Sequence, residues 1–296
     1  MKVEVLNLGL SPKQYGLLLG FVGVVCFSFT MPMTKLALGS FNPWLLSFGR
    51  VSGAGLVSLA LLLQQGKLPL IKQHFRILAG ISLGVALGFP LLTSLALHST
   101  SSAHAGLVLA LLPLITAILS AVINRESHRP VFWLISASGC LTVLAYVLLR
   151  DQVRLQAADL LLLGAAFSAG FGYTLGAKLT RSLSGLDVIC CALVVMLPVS
   201  LPATAVSWWY QPPVVVHETA VLGMIYVTLL SQLFGFVPWY KGLALGGVAV
   251  VSQVQLLQTF LTLIFSSWLL GESIGLIEYG IAMLVIAQIY LAKKVG

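Results

Sequence analysis

Residues 110–127 read ALLPLITAILSAVINRES, and residues 256–273 read LLQTFLTLIFSSWLLGES. Each stretch is an apolar run that ends close to a glutamate, Glu126 in the first and Glu272 in the second. Together with the apolar residues directly before them, both runs are long enough for transmembrane helices, which need about 20 predominantly apolar residues. Glu272 follows Glu126 by 146 residues, close to half the chain, so the sequence indicates two related halves.

The composition of the whole chain also favours a membrane protein. Its 296 residues are 59% hydrophobic and 8% charged, with a mean hydropathy of +1.03. Soluble domains carry roughly 25% charged residues. The high hydrophobic and low charged fractions of this chain therefore exclude an ordinary soluble enzyme, a disordered regulator and a disulfide-rich secreted module. Cytoplasmic loops rich in Lys and Arg explain the net charge of +8, so no nucleic-acid partner is expected.

Ten apolar segments separated by short polar breaks predict an all-α integral membrane protein with ten transmembrane helices. The lipid bilayer is therefore the expected surrounding, and a multi-pass location in a cell membrane, preferably the bacterial inner membrane, is predicted. The predicted spans are 15–38, 43–63, 76–97, 101–123, 130–149, 157–179, 186–208, 219–241, 247–270 and 275–292.

The basic residues predict that both termini lie in the cytoplasm. When ten spans are threaded, twelve Lys and Arg residues fall on one side and only Arg150 and Arg154 on the other. Because cytoplasmic loops are enriched in Lys and Arg, the side with twelve is the cytoplasmic one. Lys35 and Arg50 remain inside spans or at their edges.

Matching positions in the two halves predict an internal repeat. Since each half would contain an odd number of spans, the halves would enter the membrane in opposite directions, as in many secondary transporters. We therefore predict two inverted five-helix repeats, residues 1–149 and 150–296. Three pairs recur at offsets of 148, 143 and 146 residues: PLLTSLAL at 90–97 with PWYKGLAL at 238–245, Lys35 with Lys178, and Glu126 with Glu272.

Besides the two runs that end at Glu126 and Glu272, two further stretches contribute to a family pattern. They are CFSFTMPMTKLAL at 26–38 and NPWLLSFGR at 42–50. Together with the SLAL segment of span three they form a pattern that resembles the EamA-like branch of the drug/metabolite transporter superfamily over essentially the whole chain. The chain departs from that pattern at Asn124-Arg125, where Leu-Gly is usual, at Thr259 in place of Pro, and at Phe27 in place of Trp. The resemblance implies export of amino acids and related metabolites.

Polar residues within the predicted spans indicate a substrate pathway, because such residues are costly in hydrocarbon and face the bundle interior or a cavity. Span nine places Gln255, Gln258, Thr259 and Thr262 at helical spacing, in one polar stripe. Gln232 in span eight completes the polar candidates for substrate binding. Hydrogen bonding between helices is the alternative role of such residues.

The charged residues indicate the kind of substrate. No Asp or Glu lies near the middle of a predicted span, which argues against a carboxylate site for cations or protons. Arg50 and Lys35 instead fit a solute with a carboxylate or a phosphate, and a carboxylate-bearing or zwitterionic solute is favoured. The alternative for Lys35 is snorkelling to the interface. The aromatic candidates for contact with an apolar part of the substrate are Phe27, Phe171, Tyr173 and Trp239.

Pro90 and Pro238 occupy matched positions in spans three and eight, and each can bend its helix. They are predicted gating positions, with a kink that merely fits the shape of the bundle as the alternative.

These observations predict a secondary transporter that moves small organic metabolites by alternating access, either uncoupled or weakly linked to protons. A flippase for a lipid or lipid-linked sugar, with Arg50 and Lys35 near the head group, is the alternative. A membrane-embedded enzyme is disfavoured because the chain has no HExxH and no acidic cluster. No catalytic residue, metal site or cofactor is therefore expected. The choice between monomer and homodimer stays open.

Overall fold

The computed structural model describes residues 10–126, 129–151 and 157–271, with single positions at 280, 283–284, 287–288 and 291. Every regular element in this part of the chain is a helix. Eight helices are long and apolar enough to cross a membrane, and a ninth contains a shorter apolar stretch. In chain order they are α1 (Pro12–Ala37), α2 (Pro43–Gln64), α3 (Pro69–Ser99), α4 (Ser102–Ile123), α5 (Pro130–Asp151), α6 (Ala157–Leu179), α7 (Gly185–Tyr210), α8 (Glu218–Gly246) and α9 (Val248–Leu270).

These helices correspond to nine of the ten predicted spans. The largest difference is at α3, which begins at Pro69 rather than at residue 76. Its first turns carry Lys72, which hydropathy assigns to a loop, and Arg76, the first residue of the predicted span; a helix can continue into the polar region beyond the hydrocarbon. The predicted span at 275–292 lies largely outside the described residues, and so do both termini.

Helix starts follow ordinary capping chemistry. Ser11 and Gln14 form a capping box at the first turn of α1. The Asn42 side chain accepts a hydrogen bond from the Leu45 N–H at 2.9 Å, and Ser184 caps α7 in the same way. These caps satisfy backbone donors that have no partner within the helix.

The helices of the first half pack against those of the second. α1 lies against α8, α2 against α7, and α6 against both α3 and α4. Glycine permits the closest of these approaches: a Cβ on Gly84 in α3 would lie 2.7 Å from the Ser168 carbonyl oxygen and 2.9 Å from the Gly172 Cα, both in α6. Small residues therefore bring the backbones of α3 and α6 into direct contact.

The glutamate that ends the first quoted run links the two halves. The Glu126 carboxylate accepts hydrogen bonds from the Val248 N–H at 3.3 Å and the Ala249 N–H at 3.2 Å, in the first turn of α9. A negative charge is favourable at that end of a helix because the free N–H groups carry partial positive charge. Glu126 thus serves as an N-terminal cap supplied by the other half of the chain.

Among the described helices, α1 is interrupted at Phe29, and four others have interruptions that recur at corresponding places in the two halves. α3 contains a π-helical segment, Ser82–Gly88, and α8 contains Val227–Phe234. α4 contains a 3₁₀ turn, Leu109–Leu111, and α9 contains Gln253–Gln255. A duplicated five-helix unit would produce such pairs. In membrane proteins, interrupted helices at corresponding positions of two halves point to the binding site.

Candidate functional site

Two narrow cavities lie beside the interrupted segments. The first, here called the arginine cavity, has a volume of about 10 Å³, room for about one water, and is lined in part by Arg50, Val85 and Ser231. The second, the amide cavity, has a similar volume of about 10 Å³ and is lined in part by Leu109 and Gln255. Gln258 lines both, so the two cavities adjoin at its side chain.

Arg50 is a buried cation without an acidic partner among the described residues. Its side chain is 1% exposed. Its Nη2 donates to the Ser231 Oγ at 3.1 Å, and that hydroxyl lies 2.8 Å from the Thr30 Oγ1. Nε and Nη1 have no hydrogen-bond partner in the described part of the chain. Because a buried charge costs several kcal/mol unless it is paired, this guanidinium favours an anion in the cavity.

Aromatic side chains form the apolar wall of the arginine cavity. Phe27 and Tyr173 both line it, with ring centroids 6.5 Å apart and planes within 13° of parallel. Phe236 lines it as well, 5.0 Å from Phe27. Trp239 lies behind these rings, fully buried, with its centroid 6.0 Å from Phe27 and 5.3 Å from Tyr173. Trp239 therefore supports the wall and is not among the lining residues.

The amide cavity contains polar atoms without partners. Gln255 is 3% exposed, and neither its Nε2 nor its Oε1 has a hydrogen-bond partner within the described ranges. The Oε1 of Gln258 likewise has no partner there. Since buried polar groups cost free energy when unpaired, these amides suit a ligand or ordered water that supplies the complementary donors and acceptors.

The polar stripe of α9 divides into two chemical groups. The Thr259 Oγ1 donates to the Gly106 carbonyl at 3.3 Å, and the Thr262 Oγ1 donates to the Ser28 carbonyl at 3.0 Å. Both hydroxyls line the amide cavity but already have backbone partners. The glutamines of the stripe thus remain the groups with free hydrogen-bonding capacity.

Gln232 lines the arginine cavity and is bound to the neighbouring helix. Its Nε2 donates to the Val85 carbonyl at 3.0 Å and the Ala86 carbonyl at 3.3 Å, both in the π-helical segment of α3. Pro90 and Pro238 each follow the π-helical segment of their own helix, and neither lines a cavity.

Two predicted contact residues lie elsewhere. The Lys35 Nζ donates to the carbonyls of Leu97 and Thr100, at 2.7 and 2.8 Å, and so binds the C-terminal end of α3. Phe171 lies beside Gly80 in α3, 3.5 Å from where a Cβ on that glycine would be. Neither residue lines either cavity, so the structure does not bring them to Arg50.

The hydroxyls of Thr30 and Ser231 were not predicted from the sequence. Single Ser and Thr residues are common in membrane helices, where they hydrogen-bond locally, so their presence carries little signal. The useful signal would have been Arg50 itself, because a buried guanidinium requires acceptors on the helices around it. Phe89 and Phe236, which also line the arginine cavity, were likewise not singled out.

Comparison with known proteins agrees with this architecture. The profile of the EamA-like transporter family matches the chain twice, at residues 14–149 and 156–293. An uncharacterized transporter of Bacillus subtilis (strain 168), YdeK, is 39% identical over 277 residues, which covers 93% of this chain and 96% of YdeK. One solved crystal structure, described only as that of a protein, superposes with a TM-score of 0.72 at 18% identity, covering 95% of both chains, and supports the fold.

The family profile matches each half of the chain once. The helix interruptions likewise recur at corresponding places in the two halves. The protein is a multi-pass membrane protein, and it belongs to the EamA-like transporter family.

Proposed function

We propose that this protein is a secondary transporter that exports small organic metabolites bearing a carboxylate, such as amino acids, by alternating access. The observation that carries the proposal is Arg50, which lines the arginine cavity with two of its nitrogens unpaired within the described residues. The expected cell location is the bacterial inner membrane.

A carboxylate is the anion that best fits the free side of Arg50. The guanidinium presents its donors in a planar fork, and a carboxylate can accept two of them in parallel. The Ser231 and Thr30 hydroxyls beside the guanidinium supply further polar contact. Once the cavity widens to admit the solute, Phe27 and Tyr173 in its wall suit an apolar substituent.

The glutamine amides extend the proposal to zwitterions. Gln258 lines the same cavity as Arg50, and its Oε1 has no donor among the described residues. An ammonium group of an amino acid could donate to this oxygen while its carboxylate binds Arg50. Neither cavity is lined by a described acidic residue, so recognition of a purely cationic solute is disfavoured.

The same lack of lining carboxylates favours facilitated diffusion or weak proton linkage over strong ion coupling. The flippase alternative receives less support, because Lys35, which would assist at a head-group site, binds backbone carbonyls of α3.

Because strong ion coupling is not expected, collapse of the proton gradient should leave counterflow of a preloaded solute unchanged.

Three related probes test the proposal: L-phenylalanine, 3-phenylpropanoate, which lacks the ammonium, and phenethylamine, which lacks the carboxylate. We expect the first two, and not the third, to raise the melting temperature of the purified protein. Arg50→Gln should weaken binding of both carboxylates by at least about tenfold, the value of one charge-assisted hydrogen bond. Arg76→Gln is the matched control, because Arg76 is exposed.

Counterflow of labelled L-phenylalanine into proteoliposomes then tests transport itself. Wild type and Arg76→Gln should exchange the label, and Arg50→Gln should not. Equal binding of phenethylamine and 3-phenylpropanoate, or unchanged binding by Arg50→Gln, would show that Arg50 does not select a carboxylate.

A further inference from the structure

A proline in α3 leaves two backbone carbonyls without their usual donors. In a regular α-helix the Ala86 carbonyl would accept from the N–H of residue 90, but Pro90 has no N–H. The Phe89 N–H bonds to the Gly84 carbonyl, one residue earlier than α-helical geometry requires. The Val85 carbonyl therefore loses the Phe89 N–H, and its π-helical alternative would again be Pro90.

The side chain that supplies the missing donor comes from the other half of the protein. The Nε2 of Gln232, in α8, donates to the carbonyls of both Val85 and Ala86. Gln232 is 1% exposed, so water does not compete freely for those carbonyls in this conformation. In hydrocarbon an unpaired carbonyl is costly, and one amide here satisfies two of them.

The same arrangement recurs at a second proline. Pro32 in α1 cannot donate to the Ser28 carbonyl, and α1 is interrupted between these residues, at Phe29. The Thr262 Oγ1, in α9, donates to that carbonyl at 3.0 Å. Thr262 is also buried. In both cases a side chain of the second half completes the backbone hydrogen bonding of a bent helix in the first half.

We infer that Gln232 and Thr262 are positioning residues and not ligands of the substrate. They hold the bends of α3 and α1 in the conformation described here, which we call closed because both cavities are narrow. Each lies in a cavity wall, Gln232 in the arginine cavity and Thr262 in the amide cavity. Their hydrogen bonds join the two halves across these cavities. This inference rests on the proposed function in one respect: alternating access moves the halves relative to each other.

The hydrogen bonds of Gln232 and Thr262 are expected to affect the rate of transport, because water can replace them when the protein opens. When the halves separate, water entering the cavity can hydrate the freed carbonyls, so the bonds favour the closed conformation without preventing opening. Loss of either side chain should therefore change the rate of the conformational cycle. Solute affinity, which we assign to Arg50, Gln255 and Gln258, should change little.

Double-mutant cycles on purified protein without added solute test the assignment. Pro90→Ala restores the N–H that can bond to Ala86, so it should remove the need for Gln232. We expect Gln232→Leu to lower the melting temperature by about 2–4 °C, and by less than half as much in the Pro90→Ala background. Hydrogen exchange in the peptide at 82–92 should accelerate in Gln232→Leu and return towards wild type in the double variant.

The pair of Thr262 and Pro32 provides a second double-mutant cycle and, when its variants are combined with those of the first pair, a control. Thr262→Val, which keeps the side-chain shape, should couple in the same way to Pro32→Ala. The crossed combinations, Gln232→Leu with Pro32→Ala and Thr262→Val with Pro90→Ala, should be additive. Additive effects within both matched pairs would overturn the inference. If Gln232→Leu cannot be purified, Gln232→Asn replaces it, because the shorter amide cannot span two carbonyls.

Gln253→Leu is the matched control for loss of an amide, since Gln253 donates to Ala249 within its own helix. In counterflow of labelled L-phenylalanine, Gln232→Leu should lower the maximal rate at least about fivefold, with the half-saturating concentration within about twofold, and Pro90→Ala should restore the rate. A raised half-saturating concentration without restoration would make Gln232 a substrate ligand. If wild type carries no phenylalanine, that result counts against the proposed function, while the melting cycles still decide the inference.

Discussion

Replacing Arg50 by methionine should stabilise the protein when no solute is bound. The change removes one hydrogen bond from a charged group to Ser231, worth about 1.5–3 kcal/mol. It also removes the cost of a buried charge with no acidic partner in the described part of the chain, which amounts to several kcal/mol. The Ser231 hydroxyl keeps its contact with Thr30. The net gain in free energy of unfolding is therefore about 1–3 kcal/mol.

The assay is thermal unfolding of purified protein, followed by intrinsic fluorescence, with and without 3-phenylpropanoate. Without solute, Arg50→Met should melt at least about 2 °C above wild type. Arg76→Met, the matched control at an exposed position, should change the free energy of unfolding by less than about 0.5 kcal/mol. With solute at 100 times its dissociation constant, wild type should gain about 2.7 kcal/mol and Arg50→Met nothing.

A lower melting temperature for Arg50→Met than for wild type, both without solute, would refute this reasoning. It would mean that the guanidinium has a stabilising partner in the empty protein, and the argument for an anionic substrate would lose its basis.

Three further predictions concern other residues of the site and its frame. The double variant Gln255→Leu with Gln258→Leu should melt like wild type but fail to exchange phenylalanine in proteoliposomes, with Gln253→Leu as control; undiminished flux would remove the amide cavity from the pathway. Lys35→Met should lower the free energy of unfolding by about 1–3 kcal/mol, because the end of α3 loses a charged donor, and a changed solute preference would instead restore Lys35 as a substrate contact. Glu126→Gln should cost about 0.5–1 kcal/mol in a denaturation experiment, because the first turn of α9 loses a negative charge, and unchanged stability would show that the cap contributes nothing.

Hydropathy predicts the helices well because the bilayer imposes one simple requirement, an apolar run of sufficient length. The match of α6 to the predicted span 157–179 is an example. The interruptions in α3 and α9 were not predicted. They change which backbone groups pair with one another, and this leaves the hydropathy of the segment unaltered. Pro90 marks the position of a bend, but the sequence does not reveal that Gln232 would complete it.

The same physics explains which site residues could be predicted. Arg50, Gln255 and Gln258 stand out because each is costly in hydrocarbon, and the structure places all three in the walls of the two cavities. Lys35 is equally costly, but the carbonyls at the end of a neighbouring helix satisfy it. The sequence cannot separate these cases, since the acceptor for Lys35 is backbone, and backbone acceptors leave no trace in the residue types. Thr30 was not predicted because burying its hydroxyl costs little free energy, so the residue does not stand out in an apolar segment.

The distribution of acidic groups bears on why Arg50 is unpaired. Near the ends of the helices, the Asp187 carboxylate lies 2.8 Å from the Lys67 Nζ, and the Asp159 carboxylate lies 2.7 Å from the His104 Nε2. The fold therefore does supply partners for charges outside the cavities. If Arg50 served only for packing, a neutral side chain at this position, or an acidic residue beside it, would lower the free-energy cost of burial. The arrangement is accounted for if the counter-charge of Arg50 arrives with the solute and leaves with it.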